Sequence, residues 1–71
     1  MTKKIFIEGM SCNHCVRHVQ EALQELSAVK EVSVNLNEKH ALVHLNGDVE
    51  DSALKNAIED AGYDVVSIVN V

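Results

Sequence analysis

Glu31-Val32-Ser33-Val34-Asn35-Leu36-Asn37-Glu38-Lys39-His40-Ala41-Leu42-Val43-His44-Leu45 holds two alternating runs, 31–36 and 40–45, around the turn formers Asn37, Glu38 and Lys39. Alternation with period two marks a half-buried strand, and two such runs joined by a short polar turn predict a β-hairpin. Val32, Val34 and Leu36 then share a face with Ala41, Val43 and Leu45, turned toward the core. Ser33, Asn35, His40, Leu42 and His44 fall on the other face, which is half polar and expected to be solvated.

Both flanks of this hairpin change period. Upstream, Val16, Val19, Leu23 and Leu26, with Ala22 alongside, recur at helical spacing against Arg17, Gln20, Glu21, Gln24 and Glu25. An amphipathic helix from Asn13 is predicted, with Ser11 or Asn13 as its N-cap. Ahead of it, Lys4-Ile5-Phe6-Ile7-Glu8 is a short β-branched run ending at Gly9; Phe6, out of phase with Ile5 and Ile7, belongs on the outer face near Leu42. Downstream, Asn46-Gly47-Asp48 is a turn, and Leu54, Ala57, Ile58 and Ala61 form a second helical stripe closed by Gly62. Asp48, Glu50 and Asp51 suit the positive end of that helix. Val65 to Val69 makes a last strand. The order predicts an α+β, ferredoxin-like βαββαβ fold: a four-stranded antiparallel sheet with two helices on one face.

Seventy-one residues predict one small domain spanning 1–71, and with Phe6 and Tyr63 as the sole aromatics its core must be aliphatic. No run approaches the roughly 18 apolar residues of a membrane span, and Met1-Thr2-Lys3-Lys4 leads into a strand pattern rather than a signal sequence. A cytoplasmic protein with no membrane insertion is expected. A net charge of −5 and the lack of a Lys/Arg cluster argue against nucleic acid, and favour a partner with a basic docking face.

Both cysteines lie in Gly9-Met10-Ser11-Cys12-Asn13-His14-Cys15. Thiols three positions apart converge on one ion when the first sits on a loop and the second on the opening turn of a helix. The dipole's positive end lowers thiol pKa, and thiolate is the metal-binding form. A disulfide closing so short a loop would add little stability. Cu(I) is soft and accepts as few as two thiolates, whereas Zn(II) wants four ligands in a tetrahedron. His14 and His18 complete a Cys2His2 set on paper, but neighbours on a helix point apart, so His14 is expected to splay from Cys15. His14 then reads as a solvated residue that tunes nearby charge, and His18 as exposed helix surface. His40 and His44 read as solvated strand positions. No base, nucleophile set or substrate pocket accompanies the cysteines, which argues for a binding module rather than an enzyme.

Gly9 to Cys15, the hairpin from Val32-Ser33-Val34-Asn35-Leu36 to His44, and Ala57-Ile58-Glu59-Asp60-Ala61-Gly62-Tyr63-Asp64-Val65 together carry a resemblance. Over essentially its whole length the chain resembles the heavy-metal-associated domain family, most closely its bacterial copper chaperones of the CopZ type. The resemblance implies Cu(I) held by Cys12 and Cys15 at the surface and passed to a similar domain of a copper-transporting P-type ATPase, or to a copper-responsive repressor. It also implies Met10 turned inward to anchor the loop, and a loop bearing Tyr63 beside the metal loop. Independently, two exposed Cys-x-x-Cys loops together supply enough thiolates for a metal-bridged homodimer as one form. Zinc-transporter relatives often carry Asp before the first Cys; Ser11 stands there, which favours Cu(I). The remaining alternatives are an N-terminal metal-binding domain of a copper ATPase, a zinc, cadmium or mercury module, and a dithiol redox protein. A thioredoxin-like site depends on a proline, and the chain has none. Beginning with Met and ending at its last strand, the chain is expected to be free-standing.

Overall fold

A computed structural model describes residues 1–71. Its elements are β1 (Thr2–Glu8), α1 (Asn13–Gln24), β2 (Val29–Asn35), β3 (His40–Leu45), α2 (Asp51–Asp60) and β4 (Asp64–Asn70). The four strands form one sheet in the order β2-β3-β1-β4, with every neighbouring pair antiparallel. This is the predicted ferredoxin-like arrangement. β1 is central, so the loop that follows it is anchored by hydrogen-bonded strands on both sides.

One apolar layer joins the sheet to the helices. Ile5 and Ile7 from β1 and Ala41, Val43 and Leu45 from β3 meet Val19 and Leu23 of α1 and Leu54 and Ile58 of α2 in a single cluster. The helical spacing of the last four residues is what turns both helices toward the same sheet face. Val32, Val34 and Leu36 pack against this cluster as expected, half-buried because β2 is an edge. Asn35 Oδ1 accepts a 3.0 Å hydrogen bond from the Glu38 amide in the hairpin turn, and Lys39 closes the turn at φ 58.

Two expectations are corrected. The N-cap of α1 is Cys12, in extended conformation (φ −159, ψ 177), rather than Ser11 or Asn13; its carbonyl accepts the Cys15 and Val16 amides at 3.1 and 3.3 Å. His40 is 6% exposed rather than solvated, because β3 is an interior strand and Phe6, directly opposite on β1, covers it edge-on with ring centroids 6.0 Å apart. Phe6 is therefore paired with His40, and Leu42 sits across from Lys4. The last strand, β4, is also irregular. Phe6 pairs with Ser67 and Ile7 with Val65, so Val66 is an extra residue in a β-bulge. The bulge lets Val65 and Ile68, three apart, both pack on the core while Val66 faces solvent.

Lys3 is a charged residue on the inner face, 9% exposed. Its position follows the alternation that buries Ile5 and Ile7. The aliphatic stem lies at the edge of the core while the ammonium reaches the Val49 carbonyl at 3.2 Å and pairs with the Asp51 carboxylate at the start of α2. Gly62, at φ +100, reverses the chain after α2, in the C′ role its spacing predicts.

Candidate metal centre

Cys12 is exposed and Cys15 half-buried, both as free thiols, with their sulfurs 3.9 Å apart. The two cysteines come together because Cys12 ends the loop from β1 and Cys15 lies in the first turn of α1. Beneath them, Met10 is 8% exposed and belongs to the core cluster, so its thioether anchors the loop instead of facing the sulfurs. Gly9, at φ +97, gives the loop its turn; a Cβ there would stand 3.6 Å from Cδ1 of Tyr63.

The start of α1 has no side-chain cap and no acidic residue in its first turn. Its positive end is therefore left to the thiol groups. The Cys15 thiol is lowered from 9.0 to about 6, chiefly by the Ser11 backbone N–H and then by the Tyr63 hydroxyl, with smaller help from the Ser11 hydroxyl and the Cys12 backbone N–H; desolvation opposes part of this. Ser11 Oγ lies 3.8 Å from Cys15 Sγ. Tyr63 is pushed up from 10.0 to about 12, first because its hydroxyl donates to Cys15 and then by desolvation and the negative charge of the two sulfurs. At neutral pH, Cys15 is thus mostly thiolate, held by donors that favour the charged form.

Tyr63 Oη is also 3.4 Å from Nδ1 of His18. His14 and His18 are both exposed. No group of three or more His, Cys, Asp or Glu side chains forms a metal cluster, so the Cys2His2 set is not assembled. His40 and His44 are occupied separately: His40 lies 3.8 Å from the Glu38 carboxylate, and His44 Nδ1 is 2.9 Å from Thr2 Oγ1. No helix is long and apolar enough to cross a membrane.

Spacing alone found both sulfurs and left Ser11 unassigned beyond capping. Its role had a faint signal, since Ser11 stands four positions before Cys15 at the start of a helix. The Tyr63 contact has none in the local sequence; the resemblance alone placed its loop beside the metal loop, and the fold brings it there.

Residues 4–64 match the family model described as the heavy-metal-associated domain. The Copper chaperone CopZ of Staphylococcus epidermidis is 48% identical over 67 residues, covering 92% of this chain and 98% of its own. The Copper-transporting ATPase 1 of Rhizobium meliloti is 42% identical over 59 residues, covering 83% of this chain and 7% of its own. Among solved structures, the CopZ metallochaperone superposes with a TM-score of 0.87 at 40% identity, covering 93% of this chain and all of its own.

Proposed function

The chain belongs to the heavy-metal-associated domain family, and from that membership we propose that it is a copper chaperone carrying Cu(I) between Cys12 and Cys15. The observation that carries this reading is the sulfur pair itself: two free thiols 3.9 Å apart at an uncapped helix start, one of them with a pKa of about 6. Two thiolates with no third side chain suit a soft ion of low coordination number and leave a tetrahedral ion half satisfied.

Transfer follows from the same geometry. The two sulfurs lie at the surface with no third side chain beside them, so an ion held between them would stay open to an incoming ligand. An incoming thiolate binds there before either resident one leaves. Cys12, exposed on the loop, releases first, while Cys15 stays fixed in the first turn of α1. Net movement is then set by the relative affinities and concentrations of donor and acceptor.

We assign the acceptor as the metal-binding domain of a copper-transporting P-type ATPase, with a copper-responsive repressor and a metal-bridged homodimer as further destinations. The chain acts in the cytoplasm as one domain, without catalysis. The match to the Rhizobium meliloti ATPase supports a second reading, in which the same clamp is a domain of such a transporter. The test is an anaerobic Cu(I) titration against a calibrated chromophoric chelator, repeated with Zn(II) and followed by size-exclusion chromatography. One Cu(I) per chain, bound far more tightly than Zn(II), is expected. Preference for Zn(II), or Cu(I) that strips easily, overturns the assignment.

A further inference from the structure

His14 and His18 stand one turn apart on the solvent side of α1, outside the sulfur pair, and both are exposed. Residues four apart on a helix are neighbours on its surface, and two imidazoles at that spacing make a bidentate chelate for a borderline divalent ion. A second observation concerns the ring of His18. Its Nδ1 lies 3.4 Å from the Tyr63 hydroxyl, which leaves Nε2 as its free nitrogen. Metal-binding histidines characteristically have one ring nitrogen held in this way, fixing tautomer and orientation while the other nitrogen ligates.

We propose that His14 and His18 form a second metal site on α1, separate from the dithiol, that takes an imidazole-preferring divalent ion of the Zn(II) class. This site goes beyond the Cu(I) reading and does not depend on it. The ion is bound by the two rings and completed by water, since no third His, Cys, Asp or Glu converges. Its hold is accordingly modest and exchangeable. The positive end of α1 opposes a cation there and weakens the hold further. His40 and His44 offer no equivalent, one being buried and the other bonded to Thr2.

The experiment titrates Zn(II) into two samples by calorimetry, with imidazole resonances followed by NMR. The first is the Cu(I)-loaded chain, whose thiolates are occupied and whose copper–thiolate absorbance must stay constant. The second is the copper-free double variant Cys12→Ser, Cys15→Ser. One Zn(II) per chain is expected in both, shifting the His14 and His18 rings. Either His14→Ala or His18→Ala should weaken it about tenfold or more, as the chelate becomes a single contact; His44→Ala should leave it unchanged. Absence of binding in both samples, binding that survives either helix substitution, or binding that requires free thiolates overturns the proposal. Failure of the first sample to load Cu(I) sinks the dithiolate reading instead, and the second still reports on the imidazoles.

Discussion

Replacing Tyr63 with phenylalanine deletes one oxygen and leaves the ring that packs beside Gly9. The lost group is the second-largest influence holding the Cys15 thiol near 6 rather than 9.0. At pH 7 a thiol with a pKa of 6 is about 90% thiolate, and one at 9.0 about 1%. The Ser11 N–H, the largest influence, survives the substitution, so the variant should fall between these limits. An inflection at pH 7 would leave about half the thiol ionised at neutrality, and one at pH 8 about a tenth. The assay is the pH dependence of alkylation by iodoacetamide in a Cys12→Ser background, so that Cys15 alone reports. An inflection near 6 in the parent that does not rise in Tyr63→Phe would refute the role given to the hydroxyl. Stability carries the same signature. Cys15 is depressed in the folded state, so its contribution is complete above 9.0 and is lost as pH falls to about 6; Tyr63 is raised, so its contribution holds below 10.0 and is lost toward about 12. The part of the difference in urea midpoint between parent and Tyr63→Phe that comes from Cys15 should therefore vanish below pH 6 and grow as pH rises to 9.

Cys12→Ser and Cys15→Ser should each abolish tight Cu(I) binding in chelator competition while leaving the circular dichroism of the apo fold unchanged; retained affinity would contradict the dithiolate. Asp51→Ala removes one of the two partners of the inward Lys3 ammonium and should cost about 1–3 kcal/mol, read as a lower thermal midpoint; no change would mean that the Val49 carbonyl suffices. Gly62→Ala meets no steric obstacle but must hold φ near +100, so a loss of about 1–2 kcal/mol is expected from backbone strain alone. Metal loading should slow amide exchange in the 9–15 loop more than in the sheet; uniform protection would contradict a local clamp.

The hairpin, both helices and the sulfur pair were legible because each rests on a period or spacing a few residues long. Val32 and Val43 reveal their face by alternation, and Cys12 and Cys15 announce their pairing by separation. What stayed hidden depends on residues brought from elsewhere. Alternation placed His40 on the outer face but could not say that Phe6 of a neighbouring strand would cover it. It likewise missed the bulge at Val66, where packing Val65 and Ile68 together outweighs an unbroken ladder. Lys3 was overlooked because its partners are supplied by the beginning of α2. The donors around Cys15 divide in the same way, Ser11 being local and Tyr63 distant.

The central place of β1 has a consequence in time. The strand that leads into the cysteine loop is synthesised first, yet its two neighbours, β3 and β4, are the later strands in chain order. At about 5–20 residues per second, β3 and β4 are added seconds after the cysteine loop. Until Tyr63 is in place, Cys15 lacks that hydroxyl and its thiol stays closer to the ordinary value of 9.0. The low thiol pKa is thus a property of the finished fold, complete only when the last segment of the chain has docked.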